Sequence, residues 1–245
     1  MTSNKKVFLT FGGPTDAYHN AVKRVTEQAR QSGFFDEVIG LTETYIKGKA
    51  KFWRKHGDFI EKNTRGYGYW IWKPYIIKKV LKKMKENDIL VWADAGCTIN
   101  SNGRERMMQY YDMVTEGNES GILSFHLCNL AEKNWSKRSL ADYLDANEHM
   151  QSDQIITTSF VLRKCKHSVK LVNLWYKTCC HYDLVNDSHS SGNYYSFREH
   201  RHDQSIFSLL CKKYGSLVIK DETYFRDFKR DGNNSPIWAT RQRSS

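Results

Sequence analysis

The chain has 245 residues, 40% of them hydrophobic and 13% aromatic, with a formal net charge of +11. That length suits one α/β domain, which buries about 70–75% of its unfolded surface and needs no staples; the composition excludes a disordered chain. The charge favours anionic partners: nucleic acid, an acidic membrane surface or a phosphorylated small molecule.

The first residues, MTSNKKVFLTFGG, hold too short an apolar part for a signal peptide. No apolar run approaches the ~20 residues of a membrane span, so a cytoplasmic chain is expected. Lys6 to Phe11 predict a strand stopped by Gly12-Gly13-Pro14. Thr15 or Asp16 caps a helix to about Gln31, with Ala17, Ala21, Val25 and Ala29 at helical spacing and Gly33 ending it. Glu37–Leu41 is a second strand, and this β–loop–α–β opening starts a parallel sheet.

An aromatic stretch from Phe52 to Tyr75 leads into a lysine-rich helix from about Pro74 to Glu86. Ile89–Ala93 (ILVWA) is a continuous apolar run, as expected of a strand buried on both faces. Then come a helix at 104–116, a strand at 121–127, a helix near 136–147 and a single strand over Gln154–Arg163. A helix at 168–182, a polar loop at 186–196, a helix after Asp203 and a last strand at 216–220 precede an irregular tail. The six cysteines form no CxxC pair and read as reduced thiols.

Three constellations can carry chemistry. Asp94-Ala95-Gly96 follows the buried strand, where α/β sheets bind ligands; a carboxylate there can hold a divalent cation or simply cap a turn. In Arg65-Gly66-Tyr67-Gly68-Tyr69-Trp70-Ile71-Trp72-Lys73-Pro74 the rings offer stacking faces or fill the core, and Lys73 at a helix start can approach phosphates. His200-Arg201-His202-Asp203-Gln204 supplies imidazoles and a carboxylate, with Asp203 equally placed as a helix N-cap. The two histidines lie too close in sequence to pair on a helix face around zinc.

In their order these pieces resemble small nucleotide-diphospho-sugar glycosyltransferases of the GT-A fold, found in bacterial surface-polysaccharide clusters and large DNA viruses. The resemblance runs from about Val7 to Arg243. It is carried by GYGYWIWKPYII followed by DILVWADAGCTIN, and by EHRHDQSIFSLLCKKYG. It implies a single α/β, Rossmann-like GT-A domain over 1–245, with a mostly parallel central sheet flanked by helices and a tail from about residue 226 near the site. The implied activity is transfer of a hexose or pentose from a UDP- or GDP-sugar to a hydroxyl of a glycan or glycoconjugate.

The resemblance also assigns residues. Thr10, Phe11, Gly12 and Gly13 would cradle the base and ribose, and Trp72, Lys73, Asp94, Ala95 and Gly96 would meet the rest of the donor. Thr158, Ser159 and Gln204 would line the sugar pocket, and Asp203 and His202 would be catalytic. A divalent cation, Mn2+ or Mg2+, would sit at Asp94, but Gly96 stands where the family's DxD motif has its second carboxylate, which weakens the metal site. Arg241 and Arg243 are further cations for the diphosphate, and Asp153 and Asp187 are alternative carboxylates. Peripheral membrane contact is compatible with the charge.

Three rivals remain. A nucleic-acid-binding module fits the charge, but RNP runs, zinc-finger spacing and dense basic repeats are missing, so no nucleic-acid partner is expected. A nucleotidyltransferase would need a Gly-rich basic N-terminal loop. The third is a binding-only relative of the transferases.

Overall fold

The computed structural model describes residues 4–243. Nine strands are β1 (Lys6–Gly12), β2 (Glu37–Thr42), β3 (Ile89–Ala93), β4 (Thr98–Ile99), β5 (Ile122–Ala131), β6 (Asp153–Ile155), β7 (Ser159–Arg163), β8 (Leu217–Lys220) and β9 (Ile237–Trp238). Seven of them form one sheet in the order β2-β1-β3-β7-β5-β6, with β8 also on β5. β1, β2 and β3 run parallel; β7 is antiparallel to both β3 and β5, so β5 and its parallel partner β8 run with the first three. β6 runs against β5. Five strands thus share one direction, and the domain is a mixed α/β unit with a mostly parallel sheet.

The period-2 alternation of the strands divides the core. Val7, Leu9 and Phe11 of β1, Leu90 and Trp92 of β3, and Phe160 and Leu162 of β7 belong to one apolar cluster. That cluster lies under the helices Trp72–Lys83, Lys166–Cys179 and Asp203–Tyr214. Phe8, Ile89, Val91, Ala93 and Val161 face the other way, against Val25 and Ala29 of the helix Asp16–Ser32 and Met107 and Tyr110 of Arg104–Thr115. Burial on both faces is why ILVWA carries no polar residue. Each large side chain in it contributes about 1.5–3 kcal/mol relative to exposure.

Local signals set several boundaries. Thr15 caps the first helix by accepting from the Tyr18 amide, and Gly33 ends it in the left-handed region at φ 65°. The lysine-rich helix begins at Trp72 and ends at Lys83, so Pro74 falls in its first turn, where its missing N–H costs no intrahelical bond. The aromatic stretch contains a helix the sequence reading lacked, Ala50–Lys62, whose Phe52, His56 and Ile60 are buried at a spacing of four.

Two expectations need correction. Gln154–Arg163 is two strands: the Ile156 amide still donates to Phe125 of β5 and the Thr158 carbonyl still accepts from the Asp94 amide, but the register on β5 shifts between β6 and β7 and the Thr157 carbonyl turns to Lys73. The tail is also more ordered than expected: β9 pairs antiparallel with β4, Thr98 opposite Trp238 and Ile99 opposite Ile237. Asn100 clamps the approach by donating its side-chain amide to the carbonyls of Asn233 and Ser235. No helix among the described residues is long and apolar enough to cross a membrane.

Candidate functional site

β3 delivers Asp94 to the carboxyl edge of the sheet, and the break between β6 and β7 completes its surroundings. The Asp94 amide donates to the Thr158 carbonyl at 2.9 Å, and the Trp92 indole donates to Asp94 Oδ1 at 3.1 Å. The Lys73 ammonium, 2% exposed, lies 3.0 Å from Asp94 Oδ1 and 3.6 Å from Asp203 Oδ2. It also donates to the Thr157 carbonyl at 3.2 Å. The first turn of one helix and the first residue of another thus converge on a single strand tip.

Exposure separates the two carboxylates. The Asp94 side chain is 36% exposed, that of Asp203 4%. Burial pushes the Asp203 carboxyl up to about 6; Lys73 pulls it down and Asp94 adds to the rise. Burial also pushes Lys73 down, but the two carboxylates together more than reverse this and hold it above its ordinary value. Lys73 is therefore a fixed internal cation, and Asp94 is the member of the triad that meets a solute.

This geometry corrects three expectations. Lys73 does not approach phosphate from an open helix start, since its ammonium is enclosed by two carboxylates and a carbonyl. Asp203 is not an N-cap: His202 holds that position with no side-chain capping bond, and Asp203 is the first helical residue. Nor does Asp203 face the cleft as a base.

His202 is likewise turned inward. Its Nδ1 donates to the Val185 carbonyl at 2.8 Å, which leaves the lone pair on Nε2, a buried atom without a hydrogen-bond partner. Burial lowers its pKa to about 4, so the ring is neutral at pH 7. It packs against Tyr69 and stacks beside Trp70 inside the fold.

The Asp94-Ala95-Gly96 turn is built into the fold on both sides. Ala95 is buried against Ala21 and Val22. The Arg24 guanidinium binds the carbonyls of Ala95, Cys97 and Gln242, each at 3.0 Å, tying the first helix, the strand tip and the tail together. The Gly96 carbonyl accepts from the Gln242 amide and the Thr240 hydroxyl, each at 2.9 Å. A Cβ on Gly96 would stand 3.3 Å from the Arg241 Cα, so the crossing tail explains why glycine occupies this position.

The donor set does not fit a protein-built divalent site. One Asp94 oxygen already carries an ammonium and an indole N–H, and Gly96 offers no side-chain ligand. Among the described residues, no three His, Cys, Asp or Glu side chains cluster as metal ligands.

The other candidate residues fall into two groups. Phe11 and Trp72 stack on each other at 4.0 Å inside the core, and the Trp72 indole donates to Gly66, so neither ring is a stacking face for a ligand. Gly12 and Gly13 permit close packing, since a Cβ would meet the Tyr18 carbonyl at 2.8 Å at the first and would collide with the Glu43 carboxylate at the second. Thr10 and Ser159 are buried, and both hydroxyls lack partners. Thr158 acts through its carbonyl on Asp94, and Gln204 binds the broken strand, donating to Gln154 at 2.6 Å and accepting from the Thr157 amide at 3.3 Å. Asp153 lies away from this cluster, accepting from the amides of Asn129 and Leu130.

Two features escaped the sequence reading. Gly66, Tyr67, Gly68, Tyr69 and Trp70 all have positive φ, between 52° and 83°, and form one left-handed turn closed by Tyr69 N–H to the Arg65 carbonyl and Trp70 N–H to the Gly66 carbonyl. Each L-residue there costs roughly 1–2 kcal/mol, which the packing around it must offset. Beside the turn, Arg65 pairs with Asp187 at 3.3 Å and Glu199 at 3.1 Å. Arg201, stacked on Trp135 at 4.1 Å, has its charged form disfavoured by burial, eased by Glu199, and disfavoured again by Arg241 and Arg65. Arg201 therefore lies within electrostatic reach of both Arg65 and Arg241, and the Arg241 backbone passes next to Gly96. No spacing rule links 65, 201 and 241 in the chain.

No model of a known protein family matches the chain, and no curated protein does. Among solved structures it is similar to a glycosyltransferase involved in the glycosylation of the major capsid of PBCV-1, with a TM-score of 0.54 and 10% identity, over 96% of this chain and 92% of that one. Mouse xyloside xylosyltransferase 1 aligns over 97% of both chains with a TM-score of 0.48 and 12% identity. The likeness to the viral enzyme is one of fold: this chain has the mixed α/β, GT-A-like single domain that the sequence resemblance implied.

Proposed function

We propose that the chain is a glycosyltransferase that moves a sugar from a UDP- or GDP-sugar to a hydroxyl of a glycan or glycoconjugate, at the strand tip around Asp94. In that reaction an acceptor oxygen bonds to the anomeric carbon, the bond from that carbon to the diphosphate breaks, and the hydroxyl proton leaves to a base. Negative charge grows on the departing diphosphate and positive charge on the sugar ring, so the site needs cations on one side and a carboxylate on the other.

The observation that carries this reading is the Lys73–Asp94–Asp203 triad at the carboxyl edge of a GT-A-like sheet. Asp94 is its half-open carboxylate, suited to the sugar or the acceptor hydroxyl. Lys73 pairs with Asp94 at 3.0 Å and Asp203 holds Lys73 in place, which makes both positioning residues. Arg201, whose charged form burial and the neighbouring Arg241 and Arg65 disfavour, is relieved by a diphosphate laid beside it.

The test is a panel of UDP- and GDP-sugars screened first for thermal stabilisation and then for turnover. A donor at 100 times its Kd adds about 2.7 kcal/mol. Stabilisation with turnover supports the proposal, stabilisation without turnover leaves a binding-only protein, and no response to any donor removes the reading.

A further inference from the structure

The net charge of the protein is local. Residues 47–85 hold thirteen Lys and Arg against two acids, Asp58 and Glu61, a net +11 that equals the charge of the whole chain and leaves the remainder neutral. Only Lys73 and Arg65 of this set are ion-paired among the described residues. The other eleven have no carboxylate partner there, whereas cations elsewhere, such as Arg106 and Lys213, pair with acids.

These cations share a surface built by the helices Ala50–Lys62 and Trp72–Lys83. Lys49 lies over Tyr45 and Lys79 over Tyr75, and Phe52 of the first helix stacks on Tyr75 of the second at 4.1 Å. Lys78 lies over Tyr176, whose hydroxyl is 3.2 Å from the His56 ring of the other helix, one residue beyond Lys55. Lys82 and Lys83 extend the Lys79 stripe and are exposed. Rings beneath the lysines carry their stems and leave the ammonium groups at the surface.

We propose that this face docks the protein on an anionic phospholipid bilayer. Ten of the eleven unpaired cations are lysines, compact point charges that suit a diffuse layer of headgroups better than the bidentate reading of single phosphates, for which arginine is the better residue. The rings under them are at least half-buried, so nucleobases find no stacking platform. Neither of the two helices carries a large exposed apolar side chain, so attachment is electrostatic and reversible. The same helix that offers Lys79, Lys82 and Lys83 to the bilayer begins with the buried Lys73, so docking fixes the strand-tip site relative to the membrane. The proposal stands independently of the transferase reading.

Co-sedimentation of the full chain with vesicles tests it, comparing pure phosphatidylcholine with phosphatidylcholine containing about 30% phosphatidylserine. Binding is expected only to the anionic vesicles and is lost as salt rises from about 0.05 to about 0.5 M. The triple variant Lys79→Gln, Lys82→Gln, Lys83→Gln should bind at least about 10-fold more weakly. The control Lys220→Gln, Arg226→Gln, Lys229→Gln removes the same charge from exposed sites outside the face and should bind within about 3-fold of the parent. Equal loss in both variants, equal binding to neutral vesicles, or tighter binding to a single-stranded oligonucleotide than to anionic vesicles in the same buffer would each overturn it.

Discussion

The ammonium of Lys73 lies 3.0 Å from Oδ1 of Asp94, joining the first turn of a helix to the tip of the central strand. The contact ties the more exposed carboxylate of the triad to a buried cation. It also places a buried cation where a metal-dependent site would gather its ligands.

Asp94→Asn should fold normally, because an amide oxygen still accepts from Trp92 and the side chain is 36% exposed. Turnover with the donor found in the sugar panel should fall by about 10²-fold or more, the range of a lost catalytic carboxylate. Near-parental turnover in a correctly folded variant would make Asp94 a structural group only.

Lys73→Met should be strongly destabilised, by roughly 3–5 kcal/mol near neutral pH, since it leaves the buried Asp203 without its cation. Without Lys73 the Asp203 carboxyl is pushed further up, so protonation relieves the variant in acid. Urea unfolding at about pH 5 and pH 8 should therefore show the larger deficit at the higher pH. A deficit independent of pH would mean that lost packing, and not lost charge, is responsible.

The Asp203 carboxyl, at about 6, stands above its unfolded value of 3.8. The folded state binds the extra proton between these values, so this contribution to stability is complete below pH about 4 and is lost as pH rises through about 6. Asp203→Asn should flatten that part of the stability–pH curve. In turnover the parent should show an acid limb near 6 that belongs to the coupled triad, and the variant should lack it. Superimposable curves would exclude Asp203 as the titrating group.

Gly96→Ala should disturb the tail more than the core. Its Cβ would stand 3.3 Å from the Arg241 backbone, so the crossing segment must shift by a few tenths of an ångström. Donor affinity should drop with only a small change in melting temperature, and trypsin should cut the 230–243 segment faster. Gly96→Asp, which recreates a DxD spelling, should not make turnover manganese-dependent, because Lys73 still holds Asp94. Manganese dependence in that variant would show that Gly96 alone had prevented a metal site.

The sequence by itself determined what depends on near neighbours. Thr15 and Gly33 mark the first helix because capping is a matter of a few residues. Ile89–Ala93 reads as a central strand because burial on both faces forces an unbroken apolar run, and with that strand came the position of Asp94. Tertiary structure decided the partners. Positions 73, 94, 157 and 203 are far apart in the chain, so nothing local says that Lys73 turns inward to two carboxylates instead of outward to phosphate. Gln154–Arg163 has the composition of one strand, and it divides where its two halves take different registers on β5, His126 opposite Ile155 but Leu123 opposite Val161, with the Thr157 carbonyl between them left to Lys73. The left-handed turn at Gly66–Trp70 is unfavourable locally and exists through the packing of Trp70 and Tyr69 against His202. Charge divides the same way: the lysines can be counted along the chain, but which of them lack a counter-ion is a property of the folded surface, since ion pairing requires a few ångströms and the chain does not encode those distances one residue at a time.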